Sequence, residues 1–121
     1  MNVTTAGRVS RSFLATWFAV LGGIGAWLVH LTYAASVVEL ACEHPGWIWT
    51  IHGVTAVTAL VTVVAIAMSA ALVRESSDPE SAGTRSGQIR FLGLMGLLVG
   101  GINLALILLE GSFAIFLRPC A

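Results

Sequence analysis

The stretch from Trp47 to Val73, WIWTIHGVTAVTALVTVVAIAMSAALV, is a continuous apolar run. It exceeds the ~20 residues that an α-helix needs to cross ~30 Å of hydrocarbon. Two more runs of the same kind flank it, Phe13 to Val38 and Phe91 to Leu117. Barrel strands are ~10 residues of alternating character, whereas these runs are continuous and rich in Leu and Ala. In lipid the backbone must satisfy its own hydrogen bonds, so the runs are expected to be helical. The fold class that follows is all-α integral membrane: a bundle of three transmembrane helices at about 13–38, 47–73 and 91–117, forming one domain over residues 1–121.

Composition agrees. Of 121 residues 57% are hydrophobic and 10% charged, and mean hydropathy is +0.91. Soluble domains carry about a quarter charged residues, so a soluble globule is excluded. Formal net charge is zero and lysine is absent, so nothing points to nucleic-acid binding. Arg8 and Arg11 before the first run raise the possibility of a signal peptide, as does Ala34-Ala35-Ser36 near its end. The apolar part is much longer than an h-region of ~7–15 residues and contains His30, so it reads as a mature helix. Glu39-Leu40-Ala41-Cys42 similarly lacks the leucine that a lipoprotein box places three residues before its cysteine.

Arginines set the expected orientation. Arg8, Arg11, Arg74, Arg85 and Arg90 fall on one side of the three spans and only Arg118 on the other. The positive-inside rule then predicts a cytoplasmic N-terminus, a cytoplasmic loop over 74–90, an outer loop over 39–46 and an outer C-terminus. Cys42 and Cys120, the two cysteines of the chain, would both reach the oxidising side. A Cys42–Cys120 disulfide stapling the first loop to the tail is the economical reading. The alternative takes Cys42, His44 and Cys120 as thiolate and imidazole ligands for copper or zinc.

Within the third run Gly93, Gly96, Gly100, Asn103, Ile107, Glu110 and Ala114 are spaced by three and four residues, which is one helical face. Small residues let backbones approach in lipid, and Gly96 to Gly100 forms a GxxxG step. Similar stripes run along the second helix, His52, Thr55, Ala59, Thr62, Ile66 and Ser69, and the first, Ala15, Ala19, Gly22, Ala26, His30 and Tyr33. The remaining surface is Leu, Val, Ile and Phe, suited to lipid or to a larger neighbouring subunit.

Helical rise places His30 roughly 12 Å, Glu110 roughly 10 Å and His52 roughly 7 Å below the outer ends of their helices. The three are expected to share a layer, with Asn103 about two turns deeper. Intramembrane ionisable groups are costly and face a bundle interior or mark function. Four readings stay open: Glu110 bonding His30 or His52 to lock register; an ion or proton route or redox contact; copper or zinc on His30, His52 and Glu110; and axial haem ligation by the two histidines. Trp47 and Trp49 are expected to anchor at the headgroups, with Trp17 in the same role on the inner side. Trp27, one turn before His30, is placed to stack on it or donate its indole N–H.

No phosphate loop, HExxH, nucleophile elbow or CxxCH is present, and the extramembrane segments are too short for a soluble catalytic pocket. An enzyme acting alone is not expected. A transporter acting alone lacks an inverted repeat, although an oligomer would be able to enclose a path.

Gly25-Ala26-Trp27-x-x-His30, Cys42, His52 and a terminal Pro119-Cys120 together resemble a family of small three-helix bacterial membrane proteins. Members are typically encoded beside haem-copper cytochrome c oxidase subunits and their assembly factors. Arg118 departs from the pattern, where an acidic residue is expected before Pro-Cys. The resemblance implies a non-catalytic accessory or assembly subunit of an aerobic respiratory complex in the bacterial inner membrane. Larger membrane subunits would be its partners, and they, not this chain, would hold haem and copper. Trp27, His30, Cys42, His52 and Cys120 are the residues it singles out. The rival readings are a copper- or zinc-delivering membrane protein and a component of a channel or transporter oligomer.

Overall fold

A computed structural model of the chain describes residues 3–76 and 84–116, with side-chain surroundings for 13–75 and 87–116. Three long helices make up the fold: α1, Val3–Glu43, α2, Ile48–Ser76, and α3, Thr84–Phe116. Among the described residues there is no strand. Segments long and apolar enough to cross a membrane run over Phe13–Glu43, Pro45–Glu75 and Gly87–Phe116, of 31, 31 and 30 residues. At about 1.5 Å per residue each exceeds the hydrocarbon thickness. The described residues are all-helical apart from the short turn at His44, and the chain is a multi-pass membrane protein.

The first connection is tighter than the sequence suggested. Helix α1 runs on through Cys42 and Glu43, which the sequence assigned to the loop over 39–46. It stops because a residue before proline is pushed out of the α region: His44, ahead of Pro45, has φ −132° and ψ 98°. The His44 N–H still donates to the Leu40 carbonyl at 2.9 Å. A single 3₁₀ turn, Pro45–Trp47, then leads into α2, and the Trp47 N–H donates to the His44 carbonyl at 3.1 Å. Exposed Trp47 and Trp49 stand at this turn.

Cross-helix pairs show how the helices pass one another. Ala19 meets Ser69 and Gly96, Gly23 approaches Gly100, and His30 meets Thr55 and Glu110. Rising numbers on α1 match falling numbers on α2 and rising numbers on α3. So α1 and α2 are antiparallel, and α3 lies parallel to α1.

The closest approach is at glycine. A Cβ on Gly96 would run into the Ser69 hydroxyl and lie 3.1 Å from the Ala19 carbonyl oxygen, so all three helices converge there. A Cβ on Gly23 would stand 3.3 Å from Gly100 Cα, while one on Gly100 would stand 2.7 Å from Ile66 Cγ1. The Ser69 hydroxyl donates to the Ala19 carbonyl at 3.0 Å across the α1–α2 contact. In lipid, where apolar burial gives little drive, this combination of close backbones and a buried hydrogen bond holds helices together.

The buried line of α3 is Gly93, Gly96, Gly100, Asn103, Ile107 and Gly111. It follows the expected seam as far as Ile107 and then steps four residues to Gly111. Glu110 and Ala114 lie half-buried beside it. On α2 the inward residues are Ile51, Thr58, Thr62, Ala65 and Ser69, and His52 lies at the edge. Thr58 and Thr62 donate to Val54 and Thr58 carbonyls of their own helix at 2.8 Å, so these hydroxyls sit inside without requiring a partner helix. Asn103 likewise donates to the Val99 carbonyl at 2.7 Å.

Candidate functional site

One polar cluster joins all three helices. His30 is 1% exposed, between α2 and α3. Its Nδ1 is 3.0 Å from Glu110 Oε2, and its Nε2 is 2.8 Å from Thr55 Oγ1. The Trp27 indole N–H donates to Glu110 Oε1 at 3.3 Å. Trp27 lies three residues before His30, nearly one helical turn, so both α1 side chains reach the same carboxyl group. Thr55 rests against Gly111, where an added Cβ would stand 2.6 Å from Thr55 Cγ2. A glycine next to Glu110 is what lets α2 come this close.

Bond directions determine the protons. The single hydroxyl proton of Thr55 goes to the Ile51 carbonyl at 2.8 Å. Thr55 Oγ1 is therefore left to accept, and His30 Nε2 carries the N–H that donates to it. A second proton must lie between Nδ1 and Oε2, because two bare lone pairs would not approach to 3.0 Å. Whether that proton sits on nitrogen or oxygen, the pair is neutral overall: imidazolium with carboxylate, or imidazole with carboxylic acid. Neutrality is what makes the cluster tolerable at membrane depth. Among the described residues no buried side-chain polar atom lacks a partner.

His30 and Glu110 are together, as their depths suggested. His52 is not with them. It is half-buried, and its ring stacks edge-on with Trp49 at a centroid distance of 6.0 Å. The reason is helical phase: Ile51, one residue earlier, takes the inward position, and His52 is rotated about 100° away. The His30–His52–Glu110 set is therefore not brought together as a metal site. Among the described residues no group of three or more His, Cys, Asp or Glu is placed to hold a metal ion. Trp27 is also corrected in detail, since its N–H goes to Glu110 and not to His30.

Thr55 and Gly111 are the cluster members that sequence reasoning undervalued. Thr55 was on the expected α2 stripe, and its signal was its place one turn after Ile51 on the inward side. Gly111 had no signal beyond being a small residue four after Ile107. Gly96, Gly100 and Asn103 belong to the packing seam below the cluster. Cys42 and His44 are exposed near the end of α1. No free cysteine occurs among the described residues. Cys120 and Arg118 lie outside the described residues, as do the side chains of Arg8, Arg11 and Arg85, while Arg74 and Arg90 are exposed. No family model matches the chain, and no curated protein or solved structure is significantly similar to it.

Proposed function

We propose that the chain is a non-catalytic accessory or assembly subunit of an aerobic respiratory membrane complex, one containing cytochrome c oxidase. The observation that carries this reading is that, among the described residues, its internal polar side chains bond one another or helix backbone within the bundle. Among the described residues no buried side-chain polar atom lacks a partner. What the molecule offers is its outer surface. Only 17, 22 and 28% of the most apolar windows of the three spans are buried within the chain. Trp49, Leu60, Ile115 and Phe116 are among the large side chains turned outward.

The oxidase assignment itself rests on the resemblance carried by Trp27, His30, Cys42, His52 and Pro119-Cys120. On that reading the membrane is the bacterial inner membrane and the partners carry haem and copper. By the arginine count the N-terminus is cytoplasmic and the Cys42 end of α1 faces the periplasm. Cys42 pairs with Cys120 there, tying the tail beyond α3 to the top of α1.

Purification of the tagged full chain from its own membranes, under non-reducing conditions, tests both parts. Haem-bearing oxidase subunits should accompany it, and peptide mass analysis should find Cys42 linked to Cys120. A chain recovered without any respiratory subunit would overturn the subunit reading. Stoichiometric copper that is lost on changing both cysteines to serine would replace it with metal delivery.

A further inference from the structure

Charge is distributed unevenly over the two ends of the bundle. Glu39 and Glu43 are exposed in the last turns of α1, whereas Arg74, Glu75 and Arg90 are exposed at the opposite end, on α2 and α3. Those two helices touch there. A Cβ on Gly93 would stand 2.8 Å from Val73 Cγ2 and 3.3 Å from Leu72 Cβ. Arg74 directly follows Val73, and Arg90 comes about one turn before Gly93. The two arginines therefore flank one interhelical contact. Among the described residues the ion pair is His30–Glu110, so neither guanidinium is paired, even with Glu75.

Depth narrows what such a pair of cations meets. The α2 span, Pro45–Glu75, has its middle at residue 60, and the α3 span, Gly87–Phe116, between residues 101 and 102. Helical rise puts Arg74 about 21 Å and Arg90 about 17 Å from those midpoints. Hydrocarbon ends at about 15 Å from the bilayer middle and the headgroups at about 20–22 Å. Both arginines reach the phosphate layer. Next to Arg90 the surface turns apolar: Phe91 is 63% exposed, and Gly87, Gln88, Phe91 and Leu92 line a shallow recess.

We propose that Arg74 and Arg90 together hold the phosphate of an anionic phospholipid, with an acyl chain lying along Phe91 and Leu92. Guanidinium forks match phosphate oxygens two at a time. A zwitterionic lipid brings its own cation, which the arginines oppose. Free phosphate has no acyl chain to cover the apolar recess. An acidic protein segment would first have to displace the phospholipids that fill this layer. The inference stands apart from the respiratory reading, because it concerns the bilayer and not a protein partner.

The test uses the full chain, stripped of lipid in a neutral detergent and offered phosphatidylglycerol, phosphatidylcholine or inorganic phosphate, with bound species counted by native mass spectrometry. Phosphatidylglycerol should be retained and should raise the thermal midpoint. The other two should do neither. Arg74→Gln and Arg90→Gln should each weaken retention roughly fivefold, about 1 kcal/mol, the contribution of one basic residue toward an anionic membrane surface. Arg90→Lys keeps the charge but loses the fork, so it should fall between parent and Arg90→Gln. Lipid-free midpoints should match the parent in all three, which separates lost lipid from lost fold. Glu39→Gln raises net charge by one at the far end and should leave retention unchanged.

Equal retention of phosphatidylcholine, or retention unmoved by both glutamine variants, would overturn the proposal. So would a gain in Glu39→Gln equal to the loss in the arginine variants, since overall charge and not a site would then attract the lipid. Inorganic phosphate bound as well as the lipid would also overturn it. The same holds if the chain extracted from its own membranes carries an arginine-dependent acidic protein segment and no phospholipid.

Discussion

The two halves of the bundle are held by different physics. Around Ala19, Ser69, Gly96 and Gly100 the helices touch because side chains are missing, and glycine backbone lies against the Ala19 carbonyl and the side chains of Ser69 and Ile66. Around Trp27, His30, Thr55 and Glu110 they are linked by side chains that reach across. The first arrangement fixes distance and tolerates no added volume. The second fixes rotation, because a half-turn of α1 would break bonds to both neighbours, and a half-turn of α2 or α3 would break its bonds to α1. Together they specify one packing in a solvent where apolar faces are interchangeable.

The largest expected effect is in the glycine half. Gly96→Leu must push Ser69 and the Ala19 backbone apart, and should cost at least ~3 kcal/mol, the upper end of overpacking penalties. Gly101→Leu is the control: nothing lies within 4 Å of a Cβ added there, and residue 101 is exposed. It should stay within about 0.5 kcal/mol of the parent. Thermal denaturation in one detergent compares the two, and equal stability would show that the three-helix convergence does not hold the bundle.

The polar half should respond less, and in a way the glycine half cannot. His30→Leu removes the partner that holds the shared proton and leaves Glu110 facing an apolar side chain. Losing one member of a fully buried pair costs ~3–5 kcal/mol. Glu110 is 28% exposed, so its lost partner costs less than in a fully buried pair, and about 2 kcal/mol is expected here. His30→Leu combined with Glu110→Leu should be more stable than His30→Leu alone, since replacing both partners removes the uncompensated acceptor. Finding the double variant less stable, by the same denaturation assay, would mean that the pair acts as packing volume and not as a hydrogen-bonded unit.

These halves were not equally legible in the sequence. Spans were plain from hydropathy, and the glycine seam from Gly93 to Ile107 was plain because small residues stand out among leucines. The cluster was half legible. His30 and Glu110 announced themselves as ionisable groups in apolar runs, but the side facing inward on α2 did not. Stepping back from Thr55 by three residues gives His52 and by four gives Ile51, and both steps are helical. In a soluble helix the isoleucine would mark the interior. In a membrane an apolar side chain is at home on either face, so Ile51 carried no signal and the histidine drew the assignment to itself. The same ambiguity hid Gly111 behind Glu110. Helix ends were obscured for a different reason: Glu39 and Cys42 looked like loop residues, whereas the backbone stays helical until Pro45 forces His44 out of the α region.

Trp27→Phe gives the smallest effect and the finest test of the comparison. It keeps an aromatic ring between α1 and α3 and deletes one donor, whose bond to Glu110 Oε1 is the longest in the cluster at 3.3 Å. Side-chain hydrogen bonds between helices in membranes average about 0.6 kcal/mol, with a maximum near ~1.7. A loss of about 0.6 kcal/mol is therefore expected, measured as a small fall in thermal midpoint. The indole N–H also gives a direct readout, because in the parent its infrared stretch should lie at lower frequency than that of a free indole. If Trp27→Phe destabilised the chain as much as His30→Leu, the indole would be holding Glu110 in place for the histidine. The proton shared between Nδ1 and Oε2 would then depend on a carboxyl group fixed from its other oxygen.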